Sequence, residues 1–259
     1  MRIRLALISA TLVCSSVLLA QNITAVVNPA AVNQSNGVAP GSLVSIFGGG
    51  LAGSLASADS VSLSTSLGDV SAVTVNGMAA PLVMVSDGAI TAQMPWEIIP
   101  GPANVTVARG NVFSNAYTVQ VNQFAPALFN IRLGGLQAIA VNGDGSLAAP
   151  SGFLGGLSAH PATAGDTLTF YATGLGPVNG SLPDGTLPPD STYTTVNQPV
   201  VTIGGMPADV SWAGISPQFF GVYQLNVQVP QGVAASNAVP VQVQIGGVST
   251  TDPVTIAVQ

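Results

Sequence analysis

Residues 39–47 read Ala-Pro-Gly-Ser-Leu-Val-Ser-Ile-Phe, and residues 163–171 read Thr-Ala-Gly-Asp-Thr-Leu-Thr-Phe-Tyr. In both stretches a Gly precedes a run in which every second residue is apolar: Val44 and Ile46 in one, Leu168 and Phe170 in the other. Alternation of period two places those side chains on one face of a strand. The correspondence extends outward in the same order. Val73-Thr74-Val75-Asn76-Gly77-Met78 matches Val201-Thr202-Ile203-Gly204-Gly205-Met206, and Ile90-Thr91-Ala92-Gln93-Met94-Pro95 matches Leu225-Asn226-Val227-Gln228-Val229-Pro230. Segments 104–121 and 240–258 complete the repeat.

Each copy holds about 100 residues and roughly seven short strands, the size of an immunoglobulin-like sandwich. Asn76-Gly77 and Gly204-Gly205 suit two-residue hairpins, which need positive φ. No window shows helical periodicity, and 30 Gly and 19 Pro are scattered throughout. The expected class is therefore all-β: two tandem immunoglobulin-like β-sandwiches, over 21–122 and 123–259. Leu136 to Asn142 weakly echoes Ile23 to Asn28 and is expected to be the first strand of the second copy, with Gly152 to Gly156 as a loop.

The chain begins with Arg2 and Arg4, then an apolar run from Leu5 to Ala20. That pattern reads as a secretory signal over 1–20, too short to span a bilayer comfortably. The expected location is thus the medium or the cell surface, with membrane contact only through an uncleaved leader. Cleavage would remove two of four Arg and the sole residue of its kind, Cys14; two Arg against ten acids then leave a net charge of −8. Lys is absent altogether. This composition excludes Schiff-base and thiolate chemistry, and it leaves no electrostatic footprint for nucleic acid.

The motifs of the repeat also carry a resemblance. The run Ala39-Pro40-Gly41-Ser42, then Val73 to Leu82, then Gln93-Met94-Pro95-Trp96-Glu97 resembles the Solibacter-type uncharacterised carboxy-terminal domain family. Phe124 to Phe129, Asn142 to Ser146, Tyr171 to Gly176 and Gly221 to Pro230 follow the same pattern, which covers roughly Ile23 to Val258. Each half is, more distantly, similar to IPT/TIG domains of the E-set. The resemblance implies secreted bacterial proteins and brings no catalytic residues.

Several segments could carry chemistry. Gly48-Gly49-Gly50-Leu51-Ala52-Gly53 fits the dinucleotide pattern, but no helix follows to receive a pyrophosphate. His160 could form a triad with Ser158 and Asp166, yet no nucleophile elbow exists. Glu97 is the sole Glu, and the Asp residues sit mostly in turns, which weakens a glycosidase pair. Asn142, Asp144 and Ser146 have calcium-loop spacing, but the twelfth position falls on Phe153. No catalytic residue, cofactor or metal is therefore expected. Trp96, Trp212 and Tyr223, with Phe219 and Phe220, are the candidate ligand contacts, because aromatic faces stack on sugars. Alignment with Met84 argues for core packing at Trp212, whereas Trp96 sits on a freer turn. Outward strand positions such as Gln120, Gln224, Asn226, Gln228, Gln242 and Gln244 are neutral and polar. The expected role is structural, adhesive or recognition at a surface, with an extracellular glycan or protein as partner. A polysaccharide-binding module is the alternative, and the oligomeric state stays open.

Overall fold

The computed structural model describes residues 21–259; the expected leader, 1–20, lies outside the described residues. The first half forms β1 (Asn22–Val27), β2 (Leu43–Gly49), β3 (Ala56–Ser57), β4 (Ala72–Val75), β5 (Met78–Ala79), β6 (Leu82–Val85), β7 (Ala89–Gln93), β8 (Gly101–Arg109), β9 (Val112–Phe113) and β10 (Tyr117–Val121). The second forms β11 (Ala127–Leu128), β12 (Asn130–Arg132), β13 (Leu136–Ala138), β14 (Ala140–Val141), β15 (Thr167–Thr173), β16 (Val200–Ile203), β17 (Met206–Ala208), β18 (Val210–Ile215), β19 (Tyr223–Gln228), β20 (Ser236–Ile245), β21 (Val248–Ser249) and β22 (Thr255–Val258). The only helical turn among the described residues is a 3-10 turn at Gln34–Asn36.

In the first half one sheet runs β1-β2-β7-β6-β3 and the other β10-β8-β4-β5. This is the two-sheet strand order of an immunoglobulin-like sandwich. The second half repeats it, with β15-β19-β18 on one side and β22-β20-β16-β17 on the other. The quoted repeat is visible in the register: Ile46 faces Ile90, and its counterpart Phe170 faces Leu225. Asn76 (φ 48°) and Gly77 (φ 84°) turn the first hairpin with two left-handed residues, as the tight connection demands.

The segment 136–142, expected to be the first strand of the second sandwich, is preceded there by β11, which already pairs with β15, and by β12, and it switches sheets partway. Leu136–Ala138 lies parallel to β22, and Ala140–Val141 then crosses to pair antiparallel with β15. Each half has its own core. Val44, Ile46, Val73, Leu82, Ile90 and Val105 lie in the first, and Leu168, Phe170, Ile203, Tyr223, Leu225 and Val243 in the second.

The two sandwiches are docked through the Gln-Met-Pro-Trp turn. Gln93 is 1% exposed; its Nε2 donates to Gly41 O at 3.0 Å, and its Oε1 accepts from Gly185 N at 2.7 Å. The Trp96 backbone N–H donates to Asp184 Oδ1 at 2.9 Å, and the Trp96 indole packs on the second core. Ser42 Oγ accepts from Gly174 N at 3.0 Å, and Asp252 takes the N–H groups of Val32 and Asn33 at 2.6 and 2.9 Å. Gly41 is indispensable to this seam. Its φ is +73°, and a Cβ there would stand 2.2 Å from the Trp96 ring.

Candidate functional site

The outer face of sheet β15-β19-β18 carries a set of ligand-competent side chains around one groove. Along β19, Tyr223, Leu225 and Val227 point into the core, which turns Gln224, Asn226 and Gln228 outward. Register fixes their neighbours. Asn226 lies between Trp212 and Thr169, and Gln224 lies between Gly214 and Tyr171. An irregularity in β18 between Val210 and Trp212 sets Trp212 on this outer face. The alignment argument for a core Trp212 is thereby corrected: its position is outward, beside Asn226.

Trp212 is held from two sides. Its Nε1 donates to Ser191 O at 3.1 Å. Its six-membered ring lies over Gly214, where a Cβ would come within 2.7 Å of the ring carbons. Glycine two residues along the same strand face thus lets the indole lie flat on the sheet. Beside it is a groove of about 330 Å³ lined by Asp190, Ser191, Trp212, Pro217, Gln224 and Asn226, with Ile215 at its base. Gln224 Nε2 donates to Asn226 Oδ1 at 2.9 Å, which fixes the two amides relative to each other. Thr192 donates both its hydroxyl (2.6 Å) and its N–H (2.9 Å) to Asp190 Oδ1, and these bonds lower the carboxyl's pKa, so it stays ionised at neutral pH.

The other aromatic candidates lie elsewhere. Tyr223 is wholly buried; its hydroxyl donates to Gly176 O, and burial pushes its pKa up. It offers no ring face to a ligand, so its place is the core. Trp96, expected on a free turn, is the wedge between the sandwiches described above. Phe219 is exposed and stands edge-on to Tyr171 at 5.3 Å, beyond the far end of the amide strip.

His160 does not meet Ser158 or Asp166 in a triad. Its Nδ1 lies 2.8 Å from Pro161 O and its Nε2 3.1 Å from Asp144 Oδ2. Those contacts raise its pKa, the Pro161 carbonyl first and Asp144 next. Asp144 is pulled down to about 2, mainly by the hydroxyl and N–H of Ser146, with His160 adding to it. Asn142, Asp144 and Ser146 bond to one another (Asn142 Nδ2 to Ser146 Oγ, 3.0 Å; Ser146 Oγ to Asp144 Oδ1, 2.6 Å), and so close an ordinary turn. No metal-competent group of three or more His, Cys, Asp or Glu occurs among the described residues. The glycine run 48–53 is tied by Arg109, whose guanidinium pairs with Asp69 and donates to Gly50 O at 3.0 Å. Asp184 has its pKa raised, first by burial and further by the nearby Glu97, but its role is to accept the Trp96 N–H.

No family model matches the chain, and no curated protein matches it significantly. Among solved structures it is similar to the SGBP-B protein of the Bacteroides ovatus mixed-linkage glucan utilization locus, at 14% identity and a TM-score of 0.37 over 88% of this chain and 44% of that one. It is also similar to the gamma-CGTase of alkalophilic Bacillus clarkii (16%, TM-score 0.28, 89% and 24%) and to the I9–I11 tandem of titin (12%, TM-score 0.21, 86% and 62%). The chain spans less than half the length of the first two. No helix among the described residues is long and apolar enough to cross a membrane. The chain is an all-β protein of paired β-sandwiches.

Proposed function

We propose that this is a non-catalytic, exported surface-recognition protein that binds an uncharged polysaccharide on the outer face of its second sandwich. One observation carries the reading: the Trp212 ring is laid over Gly214 and pinned to Ser191 beside the amides of Gln224 and Asn226. A sugar ring presents C–H groups on its face and hydroxyls around its edge. A fixed indole beside fixed amides and a carboxylate matches both. Among the described residues the cations are Arg109 and Arg132, neither of which lines the groove. An ionised Asp190 in a chain of net charge −6 also repels sulfated or uronic polymers. Membership of the Solibacter-type family, likeness of each half to IPT/TIG domains, and removal of 1–20 belong to the same reading. Recovery of a secreted chain beginning at Gln21 would support the last.

Binding to an array of neutral and anionic glycans, followed by calorimetry, tests it. We expect neutral glycans to bind and Trp212→Ala to weaken binding roughly tenfold or more, since a stacked aromatic contributes about 1.4 kcal/mol or more. Trp96→Phe should leave binding unchanged. Binding that survives Trp212→Ala, or that favours sulfated polymers, would overturn the reading.

A further inference from the structure

A second cavity of about 360 Å³ opens where the two sandwiches meet. Leu43 and Val83 of the first sandwich form one wall, and Phe129, Ile139, Phe219 and Phe220 of the second form the other. Its floor is Tyr171, held edge-on by Phe219. Gln218 is the one amide in the lining, and no lining residue is charged. The volume lies within the range of small-ligand sites.

This pocket adjoins the Trp212 groove. Tyr171 faces Gln224 directly across the β15–β19 pair, and Gln224 faces Gly214, beneath the Trp212 ring. One strand spacing, roughly 5 Å, thus separates apolar pocket from polar groove. The 216–221 turn walls both: Pro217 lines the groove, and Gln218 and Phe219 line the pocket. A molecule lying across both would meet carbon at one end and amides at the other. With no cation in the lining, a fatty acid's carboxylate would enter unpaired, which is costly.

We propose that the seam pocket binds the hydrocarbon part of an uncharged amphiphile whose polar head lies along Gln224 and Asn226. Only the placement of the head rests on the glycan reading. The neutral fluorophore N-phenyl-1-naphthylamine, added to the full chain, reports the pocket directly. Saturable binding is expected, with the dye displaced by octyl β-glucoside below its micelle threshold. Octanoate and 1-octanol should each need roughly tenfold more, the former for want of a cation and the latter for want of a head. Val83→Gln and Phe219→Gln should each weaken dye binding roughly tenfold, with an unchanged unfolding midpoint showing that both variants are folded. No dye binding, displacement by octanoate at equal concentration, or insensitivity to both variants would overturn the pocket. Equal displacement by 1-octanol would overturn the head's placement. Failure of the glycan reading alone would appear as loss of Trp212-dependent polysaccharide binding with dye binding intact.

Discussion

Tyr223 and His160 illustrate how differently two polar side chains are used. The Tyr223 hydroxyl sits in the core with Gly176 O as its acceptor. Tyr223→Phe leaves that buried carbonyl unpaired, so we expect a loss of about 1–2 kcal/mol in denaturant unfolding with no change in glycan binding. His160 lies at the surface between Pro161 O and Asp144. Its raised pKa means the folded chain holds the proton more tightly than the unfolded chain. Its contribution is therefore full below 6.5 and disappears as the pH rises through the folded value. Asp144 runs the other way, contributing above 3.8 and losing that contribution as the pH falls toward about 2. An NMR titration should place the His160 pKa above 6.5, and Asp144→Asn should lower it only in part, because the Pro161 carbonyl remains.

At the scale of elements, the site exists because three strands align. Alternation in β19 was readable from Tyr223 to Gln228, and the outward Gln224, Asn226 and Gln228 were identified as such, but the same alternation turns Tyr223 inward with Leu225 and Val227, against its choice as a ligand contact. The partners of the outward amides were not readable. Trp212 reaches Asn226 only through the irregularity after Val210, and a one-residue shift turns a side chain to the other face of a sheet. Matching Trp212 to Met84 was sound as alignment, since Met84 opposes Thr91 as Trp212 opposes Asn226, but it said nothing of which way either points. The contact between Tyr171 and Phe219 was equally hidden, because it joins a strand to a turn 48 residues away in sequence. Gln224→Ala, which removes one amide from the strip and leaves the hydrophobic side of β19 intact, should weaken glycan binding about fivefold to tenfold without shifting stability by more than about 0.5 kcal/mol.

Over the whole molecule, the repeat predicts two sandwiches but not the tightness of their union. The Gln-Met-Pro-Trp turn, whose Trp96 was a candidate ligand contact, is a joint: Gln93 spans Gly41 and Gly185, and Trp96 packs against the neighbouring core. In the second copy the position of Trp96 is Gln231, so the joint has one sense only. Trp96→Ala removes the wedge, at a cost of roughly 3 kcal/mol, and we expect calorimetry to resolve two melting steps where the wild type shows one.

The same seam bears on how a pull would travel along the chain. Val32 and Asn33, near the start of the first sandwich, are hydrogen-bonded to Asp252, near the end of the second. Were one end of the chain anchored and the proposed polysaccharide bound, tension would pass through a clasp between the modules as well as along the thread that links them. Two sandwiches so fastened would be pulled together rather than one after the other, with the Trp212 face kept in place against the first sandwich.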